Sequence, residues 1–456
     1  MLQSVMIWNL THLSSPYFPY NTTAPKDIWW NENPPPGYPP SEPFSAKTWD
    51  TATLGDNFGV TLDNIGNIYV AATRQYFTKN PSSLGNGTPN QKAGVIAKLA
   101  NATGTPSLFV QLPNDGNGIG NVYFDCGCNS VFATNFYDGL IYEMDANGNI
   151  AYTWDHGANL GTAVDLMGNN LGRSPILGKD GHSSFTALGR RPWAVRVRNH
   201  RVYYSIWSQN WVGAGYFGFT VHGTTPTEIW SVALDSECGI VGPARLEVRL
   251  PLYSVTQPNY STYKYTNPVA DLSFGPQGTM IVAERTMTDN LTPAAEWARV
   301  LEFDPGATTW TLLPVNYNRY KVGVPAPGGS TPPTNASGGV DYGQATGRVS
   351  ASGDSLHYNL NDYIFGIQHF PRGGGDHTMS ALTDINDYTA IGNKTQVGDV
   401  KIPCPPPDVN PLPSLPQLAF EDTEVRELFA RSYRGLLVAK QVVRPLSSTG
   451  VPVCLK

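Results

Sequence analysis

The chain has 456 residues, several times what one hydrophobic core needs, so burial does not limit folding. Charged residues make up only 14% and the net charge is −6. No basic stripe is available to release counterions from phosphates, which excludes nucleic acid as a partner, and no run of about 18 apolar residues marks a transmembrane helix.

Residues 1–50 read as an extended arm. It opens on an apolar strand candidate, 4–10, after which nine prolines fall between Pro16 and Pro43 among many aromatics. Proline fixes an extended backbone without internal hydrogen bonds, and so many aromatic rings favour lying across a protein surface. The opening MLQSVMIWNLTHLSS lacks the basic region and long apolar run of a signal peptide, so export implies numbering that begins after processing.

Residues 51–402 carry a repeated strand pair: FGVTLDNIGNIYVAATR (58–74), NVYFDCGCNSVFATNF (121–136), WAVRVRNHRVYYSIW (193–207), VADLSFGPQGTMIVAER (269–285) and GGVDYGQATGRVSASGD (338–354). Each is a strand, a tight Gly/Asn/Asp turn and a second strand, the pattern of a β-hairpin. A further pair follows most copies, at 139–154, 227–241 and 298–313. Four antiparallel strands per repeat is a propeller blade, so the expected class is an all-β propeller. Five blades are visible; six or seven are expected, with one or two hidden by Gly/Pro/Ser/Thr-rich inserts, and a β-sandwich array is the alternative. Residues 403–456 form a Pro-rich spacer, a short helix over EDTEVRELFARSYRG and a terminal strand candidate, 436–443.

The segments VFATNFYDGLIY, RPWAVRVRNHRVYYSIW, NPVADLSFGPQGTMIVAERTM, NASGGVDYG, SGDSLHYN and NKTQVGDVKI, in that order, resemble the NHL and gluconolactonase type of β-propeller. They are more similar still to propeller modules of bacterial secreted or surface proteins. The resemblance spans roughly 55–402 and implies fold and compartment, because propellers host many unrelated functions.

In a blade, the end of the second strand and the start of the first share one face. That places Arg74, Asn135, Asp138, Trp207, Glu284, Arg285 and Asp354 around one mouth of the channel, joined by Asp56, Asn57, Arg190, Arg191 and Asn267. The resemblance implies a divalent cation on the axis, and Glu284, Asn135, Asp138 and Asp354 offer the oxygens that Ca²⁺ prefers. Such a cation would polarise a lactone carbonyl. The competing expectation is that neighbouring arginines satisfy these carboxylates by ion pairing.

Trp207, Trp211, Tyr216, Phe217 and Phe219 stand at and within the Gly-rich insert 208–226, where they would either stack on sugar rings or cover a neighbouring blade. Gly353-Asp354-Ser355-Leu356 spells a hydrolase box out of its α/β context and reads as chance. Asp145–Asn149, like 63–66, reads as a hairpin turn and not a calcium loop. Five cysteines form no zinc pattern; Cys404 and Cys454 are candidates for a disulfide, buried thiols being the equal alternative, and Cys126 and Cys128, at a hairpin tip, read as a structural pair, with redox activity as the lesser alternative. Eight sequons (Asn9, Asn21, Asn86, Asn101, Asn259, Asn290, Asn335, Asn393) suit an extracellular chain.

The leading expectation is therefore an extracellular or cell-surface, non-enzymatic structural or adhesive propeller. Its partners would be copies of itself, joined through arm and tail, or other surface proteins and glycans. The alternatives are a Ca²⁺-dependent lactonase-type hydrolase and a carbohydrate-binding module.

Overall fold

The computed structural model describes residues 49–402, apart from 76–78, 102–103, 181–183, 209–211, 215–217, 221–224, 257–261, 288–289, 295–296, 314–318, 325–333, 344–346, 360–361 and 385–397. The arm to residue 48 and the tail from 403, with its expected helix and both candidate cysteines, lie outside the described residues. Three helices of four residues each, α1 (Thr51–Leu54), α2 (Pro89–Lys92) and α3 (His156–Asn159), are the α-helices among the described residues.

Five four-stranded antiparallel sheets follow one another along the chain. Blade 1 holds β1 (Asn57–Leu62), β2 (Ile68–Ala72), β3 (Val95–Leu99) and β4 (Pro106–Gln111). Blade 2 holds β5 (Ile119–Asp125), β6 (Ser130–Asn135), β7 (Leu140–Met144) and β8 (Ile150–Asp155). Blade 3 begins with β9 (Arg191–Arg198) and β10 (Arg201–Trp207). A small hairpin, β11 (Val212–Ala214) and β12 (Gly218–Thr220), then precedes its outer strands β13 (Glu228–Leu234) and β14 (Ile240–Arg249). A second hairpin, β15 (Tyr253–Thr256) and β16 (Thr262–Tyr265), leads into blade 4. That blade is β17 (Val269–Phe274), β18 (Met280–Glu284), β19 (Val300–Pro305) and β20 (Trp310–Leu313). Blade 5 is β21 (Ala336–Gly343), β22 (Arg348–Asn359), β23 (Asp362–Phe370) and β24 (Ala381–Asp384). All five repeats read from the sequence are the inner hairpins of these blades.

Turn chemistry explains why the hairpins close where they do. Asp63 Oδ1 accepts from the N–H groups of Ile65 and Asn67, and Asp145 Oδ1 from those of Asn147 and Asn149. Asp165 repeats the arrangement with Met167 and Asn169. Gly66 and Gly148 occupy the left-handed conformation these turns require, at φ 85° and 87°. The carboxylates are thus used up inside the turn, as expected for hairpins.

The core lies between the blades. Tyr69, Phe109, Val122 and Met144 fill the space between blades 1 and 2; Phe132, Val195, Tyr204 and Trp230 fill that between 2 and 3. Leu272, Met280 and Phe303 pack against Ile229 and Tyr203, and Ile281 and Val300 against Val340 and Phe370. Inner and second strands are buried on both faces, which is why they read as nearly continuous apolar runs; β8 is largely exposed.

Residues 398–402 close the ring between β21 and β1. Val60 N–H donates to Asp399 Oδ2 at 3.0 Å on one side, and Ile402 N–H to Asp341 Oδ2 at 2.8 Å on the other. Gly339 permits this approach, because a Cβ there would lie 2.7 Å from Gly398 O.

Candidate functional site

Each inner strand carries a valine or leucine at one common register: Val60, Val122, Val195, Leu272 and Val340, with Val400 in the closing segment. The ladder is bulged just before this position in every blade. A bulge frees a backbone N–H, and second-strand hydroxyls take it up. Thr134 accepts from Asn121 N and donates to Trp193 O in the next blade. Ser205 does the same with Ala194 N (2.9 Å) and Val269 O (2.6 Å). These hydroxyls staple each blade to its neighbour beside the axis.

Residues flanking the common register point to the axis and meet across it. Asn121 of blade 2 donates through Nδ2 to Ala270 O of blade 4 (2.9 Å), and Arg196 of blade 3 to Asp341 of blade 5 (3.1 Å). Contacts between non-adjacent blades mean that the channel is filled. Asp341 also accepts from Ser273 Oγ (2.6 Å), Tyr342 N (3.0 Å) and Ile402 N (2.8 Å). Burial alone would raise its pKa; the Arg196 and Lys401 charges and these hydrogen bonds outweigh burial and hold it below the usual range. Lys401 Nζ lies 3.6 Å from Asp271 Oδ1. Asp399 is pushed well above the carboxylate range, first by burial and then by the charge of Asp271, to which it hydrogen-bonds. Asp271, Asp341 and Asp399 thus face Arg196 and Lys401 in one buried polar network on the axis.

One end of this axis is stopped by aromatic rings. Phe58, Phe136, Phe185, Trp193, Trp207 and Met287 form one buried cluster. The Phe58 and Trp193 centroids, from blades 1 and 3, are 5.8 Å apart, and those of Trp193 and Trp207 are 5.4 Å apart. Arg191 is fully buried, its guanidinium 4.7 Å from the Phe185 and Trp207 rings and 2.8 Å from Asp180 Oδ2. Burial lowers its pKa to about 10, opposed by Asp180.

The oxygens nominated for a metal are spread among local partners. Glu284 is held bidentately by Arg299, at 2.6 and 2.8 Å, with both side chains buried. Asn135 bonds Asn114, Pro113 O and Asp138; Asp138 in turn accepts from Leu140 N and the Tyr142 hydroxyl. Asp354 is buried within β22, its N–H on Asn335 O. Among the described residues no group of three or more His, Cys, Asp or Glu side chains stands close enough to hold a metal ion. The ion-pairing expectation therefore describes Glu284. The remaining mouth residues are likewise engaged: Arg190 with Asp155, Asn267 with Trp297 O, and Asp56 with Lys79 N. Burial raises the Asp56 pKa to about 6.

Other expectations need correction. Trp207 is 1% exposed, with Arg191 over its face, so it presents no surface to a sugar; Trp211, Tyr216 and Phe217 lie outside the described residues. Cys128 pairs with Cys238 and not with Cys126, joining turns of adjacent blades that only the fold brings together. Asn335 is buried with Nδ2 donating to Val324 O and Ser355 O, so a glycan there is incompatible with the fold. Asn101 and Asn290 are half-buried and donate to Ile65 O and Asp180, whereas Asn86 is exposed. Asn9, Asn21, Asn259 and Asn393 lie outside the described residues.

Two buried histidines were not singled out by the sequence. His369 bridges Ser350 (2.7 Å) and Thr383 (2.9 Å), and His156 bonds the Tyr204 hydroxyl (3.0 Å). Burial lowers both to about 3, making them neutral structural links, His369 between strands and His156 from α3 to β10. A surface cavity of about 410 Å³ lies away from the axis, lined by Arg319, Lys321, Gly373–Gly375, Asp376 and Met379; Arg319 there is paired with Glu302.

No family model and no curated protein matches the chain. Solved structures similar to it include a gluconolactonase from Xanthomonas campestris, at 10% identity and TM-score 0.36, covering 74% of this chain and 83% of that one. A nidogen/laminin complex is similar at 10% identity and TM-score 0.36, covering 75% and 87%. A PQQ-bound aldose sugar dehydrogenase from Streptomyces coelicolor is similar at 10% and 0.34, covering 76% and 84%. Likenesses this distant carry no argument about activity, and the propeller stands on its own five four-stranded sheets.

Proposed function

We propose that this chain is an extracellular, non-enzymatic structural or adhesive propeller that works through its surfaces, by assembling with copies of itself or by binding other surface molecules. The observation that carries the reading is the filled axis. The place where a propeller can hold a substrate is occupied here by a buried polar network and an aromatic stopper, both supplied by this chain. The Cys128–Cys238 disulfide adds support, since such bridges persist in oxidising compartments.

The test is light scattering and electron microscopy of the purified full chain over a wide concentration range, with a lactone panel run on the same material. Concentration-dependent ordered assemblies without turnover are expected. A strict monomer that hydrolyses lactones, and loses that activity in Glu284→Gln, would overturn the reading.

A further inference from the structure

We propose, resting on the reading that the chain works through its surfaces, that the cavity of about 410 Å³ beside blades 4 and 5 binds a uronic acid, the carboxylate-bearing sugar of an acidic glycan. Two stretches of backbone build the cavity. Residues 319–321 lie against blade 4, where Tyr320 bridges Val300 of β19, and the loop 371–376 leaves β23 of blade 5. Gly375 N donates to Arg319 O at 2.7 Å and Lys321 N to Gly375 O at 2.9 Å, so the two stretches are fixed side by side.

Two glycines of this loop have different reasons to be glycine. Gly374 has φ 84°, and a Cβ there would stand 2.1 Å from Arg319 O, so the close approach of the two stretches requires it. Gly373 has no left-handed φ, and a Cβ there would meet nothing within 4 Å. The backbone does not require glycine at 373; its missing side chain leaves that part of the cavity wall open.

The lining selects the ligand. Among the described residues Lys321 enters no ion pair; its N–H and carbonyl are engaged with Gly375 and Gln368, so its ammonium is the group that meets an anion. Arg319 Nε lies 2.7 Å from Glu302 Oε2, an oxygen that also accepts from the Tyr320 hydroxyl. Glu302 thus offsets the charge of Arg319 while orienting its remaining N–H donors. One uncompensated cation suits a single carboxylate, and Asp376 in the same lining opposes a more highly charged phosphate. The turn offers phosphate no nest either, because the N–H groups of Gly374 and Gly375 already donate to Pro371 O and Arg319 O. Asp376 is an acceptor for hydroxyl groups, and Met379, 60% exposed, gives an apolar wall for the C–H face of a sugar ring. One carboxylate, several hydroxyls and an apolar face together describe a uronic acid. The volume falls within the roughly 300–1,000 Å³ of small-molecule sites, and at the surface a glycan chain can continue from it into solvent.

The test is saturation-transfer difference NMR on the purified full chain, with glucuronate as probe and glucose, acetate and inorganic phosphate as competitors. Saturable transfer to glucuronate is expected, each competitor displacing it at least about ten-fold less well. Lys321→Met keeps the aliphatic stem without the ammonium and should weaken binding at least about ten-fold. Gly373→Leu should abolish the signal by filling the cavity, with a thermal melt that matches wild type because this position needs no glycine. An oligomer of the same uronic acid should bind no more weakly than the monomer; its exclusion would overturn the glycan as the source. No transfer to glucuronate, or unchanged transfer in either folded variant, would overturn the site. Equal displacement by acetate or phosphate would overturn the sugar and leave a plain anion site. Light scattering on the same sample measures assembly independently, so loss of the surface role and loss of this site give different results.

Discussion

The axial network makes its strongest prediction at Asp341. Replacing it with Asn preserves shape but removes a charge that accepts from Arg196, Ser273, Tyr342 N and Ile402 N. An amide has one acceptor oxygen, so whichever way it turns it sets an NH₂ against a donor. Arg196 loses its buried partner at the same time. Breaking a buried ion pair from one side costs about 3–5 kcal/mol, of which the mispaired donor accounts for roughly 1–3. With a urea m-value of about 3 kcal/mol/M, the midpoint falls by about 1–1.7 M. Urea titration followed by tryptophan fluorescence reads this directly, because Trp193 and Trp207 sit in the stopper above the network. The pH dependence supplies a second reading. The folded-state pKa of Asp341 is depressed, so its contribution is fully present above the unfolded value of 3.8 and is lost as pH falls through the folded value. Wild type and Asp341→Asn should converge only below that range. A midpoint shift of less than about 0.3 M, or strict additivity of Asp341→Asn with Arg196→Met, would refute the idea of a coupled network.

Three further outcomes are expected. His156 and His369 are buried neutral, with pKa values near 3, so the fold should be most stable above pH 6.5 and weaken on acidification by up to about 1.4 kcal/mol per pH unit for each histidine; thermal melts at pH 7 and 4.5 should show a smaller acid loss in His156→Phe, and an unchanged loss would contradict this. Burial raises Glu143 to about 7, so its charge weighs against the fold as pH rises from 4.5 to 7; Glu143→Gln should gain about 1–3 kcal/mol at pH 8, discounted for nearby solvent, and nothing at pH 4. Glu284→Gln should cost about 3–5 kcal/mol by stranding Arg299, and Arg299→Met in the same chain should recover part of it; two independent, additive losses would show that the pair is not coupled.

The hairpins were readable because their turns depend on specific residues: an Asp that folds back on its own backbone and a Gly that takes positive φ are visible as letters. The axis was harder. In most strands a charged residue at alternate positions signals a solvent face, whereas here Arg196, Asp271, Asp341 and Lys401 face one another. The available signal was their common register, each one place before or after the central Val or Leu. The metal expectation failed to gather its residues for a related reason. Strand ends share a face only in outline, and Glu284 meets Arg299, just before the neighbouring strand β19, before it can reach another blade. Disulfide pairing could not be read from spacing, because the partners of Cys128 and Cys238 are set by the packing of two blades.

The bridge between Cys128 and Cys238 also decides how the chain responds to a protease. The long insert after β8 exposes Met167 and Leu177 at 67% and 66%, the sort of segment where a backbone is cut first. Any cut there falls inside the loop that the bridge closes. The piece carrying blades 1 and 2 would therefore stay covalently attached to the piece carrying blades 3 to 5. A nicked molecule would run as one species until its disulfide was reduced, and only then separate into two. Proteolytic damage would thus leave the ring assembled, with reduction rather than cleavage as the event that takes it apart.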